Sequence, residues 1–391
     1  MAPEVLEPSD AASLAAKLKW ANAEGLAIAV RGAGTKQAWG GPASRADVVL
    51  STLGLNTPID HVAGDLVATV PAGATLDAVN DILRREKQWL PLDPSISHLA
   101  TIGGVIATND SGPRRHRYGT PRDLILGIEI ALVDGRTAKA GGRVVKNVAG
   151  YDLSKLLCGS LGNLAVITSA TFKLAPVAPV SCTLVATVGD LRRLGALALA
   201  VAGTPLTPST IEIQSPPHRL LIRFETAPRA ADEQCRAANG LCAEHGATTE
   251  ILSGQAEADE WRAHDRRVWH APGTIVKLAI LPTDVAEMLA RVERLATGRG
   301  VEYEIAGRGA LGVIFARLAG DPAQQAAIVA ELRRDATARG GSAVLLSAPP
   351  DLIAQLGAWG PMGDAVSIMR AVKARFDPHD TLNPGRGSWE S

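Results

Sequence analysis

The chain has 391 residues, 40 Lys+Arg against 40 Asp+Glu, and 46% apolar side chains. Balanced charge offers no electrostatic grip on nucleic acid or an anionic membrane, and no apolar stretch is long enough to span a bilayer. The four cysteines lack the spacing of zinc or iron–sulfur ligands and the acidic start MAPEVLEPSD has no signal-peptide core, so a soluble, cytoplasmic-type chain of two or three domains is expected.

The chain opens on an expected helix, capped by Ser9 or Asp10, with Leu14 and Leu18 on one face and Gly25 as the stop. An apolar strand at 26–30 runs into Arg31-Gly32-Ala33-Gly34-Thr35, and strands at 48–51 and 66–70 follow. Thr75 is placed to cap a helix whose Leu76, Val79, Ile82 and Leu83 make one stripe. A long segment of small residues comes next, with Pro91, Asp93, Thr101-Ile102-Gly103-Gly104, Asn109, Ser111-Gly112 and Tyr118-Gly119. Then a strand at 128–133 turns at Asp134-Gly135 and returns over 136–140, and another strand at 164–174 closes the region. Beyond it, strands at 181–188, 210–213, 220–224, 274–280 and 312–318 alternate with Ala-rich helices at 230–245 and 322–338.

Glycine is unevenly spread: 19 of 39 fall within residues 25–162. Either a turn-rich β region or a ligand-binding scaffold fits that density, because glycine admits tight turns and close backbone approach. Backbone N–H groups in such turns form concavities for phosphates. No G-x-x-x-x-G-K-[ST] is present, which excludes a P-loop. The one G-x-G-x-x-G, from Gly307 to Gly312, runs into a strand pattern rather than a helix and so lacks the Rossmann context.

The turn from Arg31 to Thr35, the segment from Pro91 to Asp123, the Gly150-Tyr-Asp-Leu153 and Gly159-Ser-Leu-Gly-Asn163 runs and the late Leu382-Asn-Pro-Gly385 together resemble FAD-linked 2-hydroxy-acid oxidases and dehydrogenases. These belong to the vanillyl-alcohol oxidase, or PCMH-type, flavoproteins. Within that family the chain is most similar to the small FAD-binding subunits of bacterial glycolate oxidases. The resemblance implies an α+β fold with a two-lobed PCMH-type FAD-binding domain at 1–176, completed by 366–391. A smaller antiparallel α+β cap domain would occupy 177–365.

The same resemblance implies non-covalent FAD, since Thr35 stands where covalent relatives carry a His. Arg31, Gly32, Ala33, Gly34, Thr35 and Lys36 would hold the diphosphate. Pro91, Asp93, Thr101, Ile102, Gly103, Gly104, Asn109, Ser111, Gly112, Tyr118 and Gly119 would line the ribityl and ring portions. Ile167 would lie near the adenine, and Asn383 would approach the flavin ring. For catalysis, Arg262 and Lys277, fifteen residues apart, fall where relatives hold the substrate carboxylate; a solvated basic helix face reads equally well. His98 is either flavin-facing or an exposed turn residue.

The family's metal ligands are missing from the matching places. Gly312 stands where a His is expected, and the stretch from Ser347 to Leu352 has no Glu-His pair, so no metal site is expected. This implies a division of labour: an accessory or electron-relay flavoprotein beside a larger FAD-linked catalytic subunit and an iron–sulfur subunit, oxidising a small 2-hydroxy acid such as glycolate. Membrane docking through the complex stays open, as do two rivals, a self-sufficient 2-hydroxy-acid dehydrogenase and a non-enzymatic scaffold.

Overall fold

The computed structural model describes residues 3–143 and 151–390, so Gly150 of the family-like run lies outside the described residues. The chain begins with β1 (Glu4–Leu6) and α1 (Ala11–Ala23). Asp10 caps α1 with a reciprocal box: its carboxylate accepts the Ser13 N–H at 2.7 Å, and Ser13 Oγ accepts the Asp10 N–H at 3.2 Å. With β2 (Ile28–Arg31) and β3 (Val48–Ser51), β1 forms a three-stranded parallel sheet in the order β1-β3-β2.

Next come β4 (Asp60–Val62), β5 (Val67–Pro71), α2 (Leu76–Leu83), β6 (Gln88–Trp89) and α3 (Ile102–Thr108). They are followed by α4 (Arg115–Tyr118), α5 (Pro121–Leu124), β7 (Ile125–Ala131), β8 (Thr137–Gly141), α6 (Leu153–Leu157), β9 (Val166–Lys173) and β10 (Ala175–Pro176). An antiparallel five-stranded sheet runs β4-β5-β9-β7-β8, and β10 pairs with β6. The β7–β8 hairpin turns at Asp134-Gly135, where Asp134 Oδ1 takes the Arg136 N–H at 3.0 Å.

The remaining strands are β11 (Val180–Thr187), β12 (Thr210–Ser215), β13 (Arg219–Thr226), β14 (Thr248–Ser253), β15 (Thr274–Ala279), β16 (Glu302–Arg308), β17 (Val313–Ala319) and β18 (Ser342–Ser347). Between and after them lie α7 (Leu191–Ala202), α8 (Pro228–Glu244), α9 (Gly254–Arg266), α10 (Val285–Thr297), α11 (Pro322–Ala338), α12 (Pro350–Leu356) and α13 (Ala365–Phe376).

Two compact units result. The first holds Met1–Gly112, Tyr118–Val177 and Pro361–Ser391; the second holds Pro113–Arg117 and Ala178–Gly360. The core of the first gathers Leu14, Leu18, Leu50, Val70, Leu76, Ile128 and Phe172. Its C-terminal segment is tied in by a buried lysine: Lys373 Nζ donates to Asp377 at 2.6 Å and to the carbonyls of Asn163 and Leu382 at 3.0 and 3.1 Å. Leu382 then bridges in parallel to Ile28, beside β2.

The second unit is the smaller of the two, and its sheet is antiparallel throughout: eight strands run β14-β11-β13-β12-β16-β17-β15-β18. Three of these, the edge strands β14 and β18 and the interior β16, are not among the strands the sequence pattern predicts; β14 is largely exposed and mixes polar with apolar residues, leaving no clean alternation. Side chains alternate across the sheet as the pleat requires. Leu184, Ala186, Leu220, Ile222, Phe224, Ile211 and Ile213 enter one core with α7, α8, α10 and α11, whereas Val185 and Leu221 face Trp261 on the other side. Burying each Leu, Ile or Phe contributes about 1.5–3 kcal/mol, which makes the helix-covered face the main source of stability.

Candidate functional site

In the first unit, the turn after β2, the start of α3 and the approach to β9 surround an open cleft. Gly32, Ala33, Gly34, Thr35, Lys36 and Gln37 form one wall, and Thr101, Gly103, Gly104, Ala107 and Thr108 another. Leu161, Gly162, Ala165, Val166 and Ile167 provide a largely apolar third side, with Arg386 entering from the C-terminal segment. Thr101 caps α3, its Oγ1 accepting the Gly104 N–H at 3.4 Å. A Cβ added at Gly32 would lie 2.2 Å from that same Oγ1, so the two walls meet only because residue 32 has no side chain.

Of the sequence-expected ligands, Gly32, Ala33, Gly34, Thr35, Lys36, Thr101, Gly103, Gly104 and Ile167 line this cleft. Arg31, Pro91, Asp93, Ile102, Asn109, Ser111, Gly112, Tyr118, Gly119 and Asn383 do not line it. Ile102 is a core residue, and Tyr118 packs edge-on against Trp89 with ring centroids 5.7 Å apart. Asn383 has its amide committed elsewhere. Its Oδ1 accepts the Val30 N–H at 3.0 Å and its Nδ2 donates to the Leu161 carbonyl at 2.9 Å, so it ties two cleft walls together from behind. Sequence reasoning missed Thr52, Thr108 and above all Arg386, which is more than 340 positions from the turn it touches.

Residues 2–141 match the FAD binding domain family, and residues 361–386 match the C-terminal domain of FAD linked oxidases. Residues 2–141 thus carry an FAD binding domain. It is 41% identical over 172 residues to a D-lactate dehydrogenase of Archaeoglobus fulgidus, a match spanning 44% of this chain and 38% of that protein. A glycolate oxidase subunit GlcD of Bacillus subtilis is 26% identical over 99% of this chain and 89% of its own length. The glycolate oxidase subunit GlcE of Escherichia coli is 40% identical over 119 residues, 30% of this chain and 34% of that subunit. An alkyldihydroxyacetonephosphate synthase structure shares the fold, with TM-score 0.74 and 16% identity over 97% of this chain and 76% of that one.

The cleft fits FAD. Among the described residues, no N–H from Gly32 to Lys36 donates to a backbone carbonyl, which leaves a run of donors suited to a diphosphate. Lys36 is buried and its Nζ lies 3.3 Å from Asp110 and 3.0 Å from the Ser95 carbonyl, so its charge is already balanced. Arg386 is 4% exposed, and burial pushes its guanidinium down to about 10. The apolar side from Leu161 to Ile167 suits a flat heteroaromatic ring. No His or Cys is among the lining residues.

The second unit carries a different cluster. On the sheet face opposite its main core, α9 lays Glu257, Trp261 and His264, spaced i, i+4, i+7, against β11, β12 and β13. His264 Nε2 donates to Glu212 at 3.0 Å, while its Nδ1 accepts from Gln214 Nε2 at 2.9 Å, a pairing fixed by the Gln214 bond to Glu260. Glu212 is fully buried and has Arg308 Nε 3.4 Å from its other oxygen. Glu225 takes two bonds from Arg114, at 3.1 and 2.8 Å. Burial alone would raise its pKa, but the Arg114 bonds and the charges of Arg114 and Arg223 prevail and hold it at about 2.

The catalytic candidates separate on this face. Lys277 is paired in register with Phe315, over whose ring the Arg308 guanidinium sits at 4.9 Å. Arg262 projects from the exposed side of α9 and pairs with Asp259, the solvated arrangement. His98 is exposed, and His116 is partly buried, its pKa lowered by desolvation. Among the described residues no three His, Cys, Asp or Glu side chains cluster as a metal site, and no helix is long and apolar enough to cross a membrane.

Proposed function

We propose that this chain is an FAD-binding subunit of a complex that oxidises a small 2-hydroxy acid, glycolate by likeness to its relatives, and that its flavin serves electron relay rather than the first attack on substrate. When bound, FAD supplies a ring that accepts electrons in pairs and can release them singly. The chain's part is to hold it without a covalent link: the N–H run of residues 32–36 takes the diphosphate, Lys36 keeps that turn against Asp110, and the 161–167 side excludes water from the ring system.

The observation that carries the accessory role is the backbone at Gly312. Relatives of this family would place a metal-binding imidazole there. Here φ is +67° and a Cβ would stand 1.9 Å from the Ile280 carbonyl oxygen, so the β16–β17 connection has closed over the position. A side chain cannot return without moving backbone. Partners of the expected kind are a larger FAD-linked subunit, as the GlcD and GlcE names of two relatives suggest, and an iron–sulfur protein, in a cytoplasmic setting.

A second reading, a self-sufficient dehydrogenase, draws on Lys277 and Arg308, two cations on one sheet face. Affinity purification of the tagged chain from its native cells distinguishes the two. The expected eluate contains a larger flavoprotein and an iron–sulfur protein and oxidises glycolate. A chain that elutes alone with full turnover refutes the accessory role.

A further inference from the structure

The C-terminal segment is built to deliver one side chain. Asn383 N–H donates to the Ile28 carbonyl at 2.8 Å, the Ser44 N–H donates to the Pro384 carbonyl at 2.8 Å, and Gly385 turns with φ +78°. Arg386 follows immediately and enters the cleft wall. Its Nη2 donates to the Trp39 carbonyl at 3.0 Å and to the Lys36 carbonyl at 3.5 Å, and its Nη1 donates to Gln37 Oε1 at 3.2 Å. The guanidinium is thereby fixed against the turn whose N–H groups line the cleft, and it draws back that turn's carbonyls.

Its Nε is buried and has no partner. Among the described residues, no carboxylate offsets the desolvation of this cation. Burying an unpaired charge is costly, and a buried guanidinium held only by neutral carbonyls and an amide is short of a counter-ion. The other cation of the cleft, Lys36, already has Asp110. The missing negative charge must therefore come from what the cleft binds.

We propose that Arg386 is the counter-ion of the FAD diphosphate, so that the last few residues of the chain form part of the cofactor site. The inference rests on the cleft's reading as the FAD site and adds to it a residue that reads phosphate charge. A planar guanidinium whose Nε–H and second Nη1–H are left over complements a phosphate oxygen, and charge-assisted bonds of this kind are worth about tenfold to a hundredfold in affinity.

The test compares apoprotein binding of FAD with that of riboflavin, which has no phosphate, by flavin fluorescence in wild type, Arg386→Gln and Arg386→Lys. In Arg386→Gln, FAD affinity is expected to fall about tenfold to a hundredfold while riboflavin affinity changes less than about threefold, with Arg386→Lys between. Equal losses for both flavins would make Arg386 a purely structural residue and overturn the proposal. So would an FAD affinity in Arg386→Gln equal to that of a wild type that binds FAD. A wild type that binds neither flavin overturns the cofactor reading and this inference with it. If Arg386→Gln does not fold, the FAD-to-riboflavin ratio in Arg386→Lys decides by the same criterion.

Discussion

The contact between Gly32 and Thr101 allows a quantitative test of how the cleft is assembled. A methyl at residue 32 would lie 2.2 Å from Thr101 Oγ1 and 3.3 Å from its Cβ and Cγ2. Gly32→Ala therefore has to rotate the hydroxyl away, losing the α3 cap, worth about 1 kcal/mol, and crowding the Thr101 methyl. Gly32 does not occupy the left-handed region, so alanine suffers no backbone strain and even gains about 0.4–1 kcal/mol by restricting the unfolded chain. The net expectation is a loss of up to about 1 kcal/mol in the wild-type background, crowding included. In Thr101→Ala the oxygen is gone and the cap is already lost, so the same Gly32→Ala change should stabilise by about 0.4–1 kcal/mol. Urea unfolding of the four apoproteins gives the coupling energy directly, without any contact of the new methyl to flavin. A coupling of at least about 1 kcal/mol is expected; additivity within about 0.5 kcal/mol would refute the contact as the reason for glycine.

Further predictions concern the second unit. Glu225 has a folded pKa near 2 against an ordinary 4.5, so its ionised form stabilises the fold above pH 4.5 and that contribution is lost as pH falls toward 2. The linked free energy is on the order of 3 kcal/mol, and Arg114→Gln should remove most of this acid dependence in stability measured between those pH values. An unchanged slope would mean that Arg114 is not what holds the carboxylate. Gly312→His should destabilise the protein by more than about 2 kcal/mol, from the left-handed φ and the overlap with Ile280, and should create no zinc affinity by calorimetry. A stable, metal-binding Gly312→His variant would remove the main support for an accessory role.

Local signals carried much of this fold in the sequence. The Asp10 cap, the Thr75 cap of α2, the Asp134-Gly135 turn and the full length of α11 are set by neighbours a few residues apart, and each forms where those residues point. The 32–36 turn was likewise legible, because small residues in tight turns leave a compositional mark, whereas Thr101–Gly104 reads as part of a small-residue segment and in fact opens α3. What escaped notice depends on distance or on an inverted pattern. Arg386 acquires its meaning only when β2 brings the C-terminal segment back to Lys36 and Trp39. The buried stripe of α9 reads Glu257, Trp261, His264, so a search for apolar periodicity passes over it. Asn383 also ties the walls together, its amide meeting both Val30 and Leu161, a long-range contact that no local pattern announces.

The central claim is a chain that holds FAD yet leaves the first oxidation step to a partner. It is tested most directly by adding glycolate anaerobically to the purified, FAD-loaded chain and following the oxidised-flavin absorbance. The band should persist with the chain alone and bleach once the larger flavoprotein subunit is added. Prompt bleaching by glycolate alone would contradict the claim and assign the substrate site to this chain.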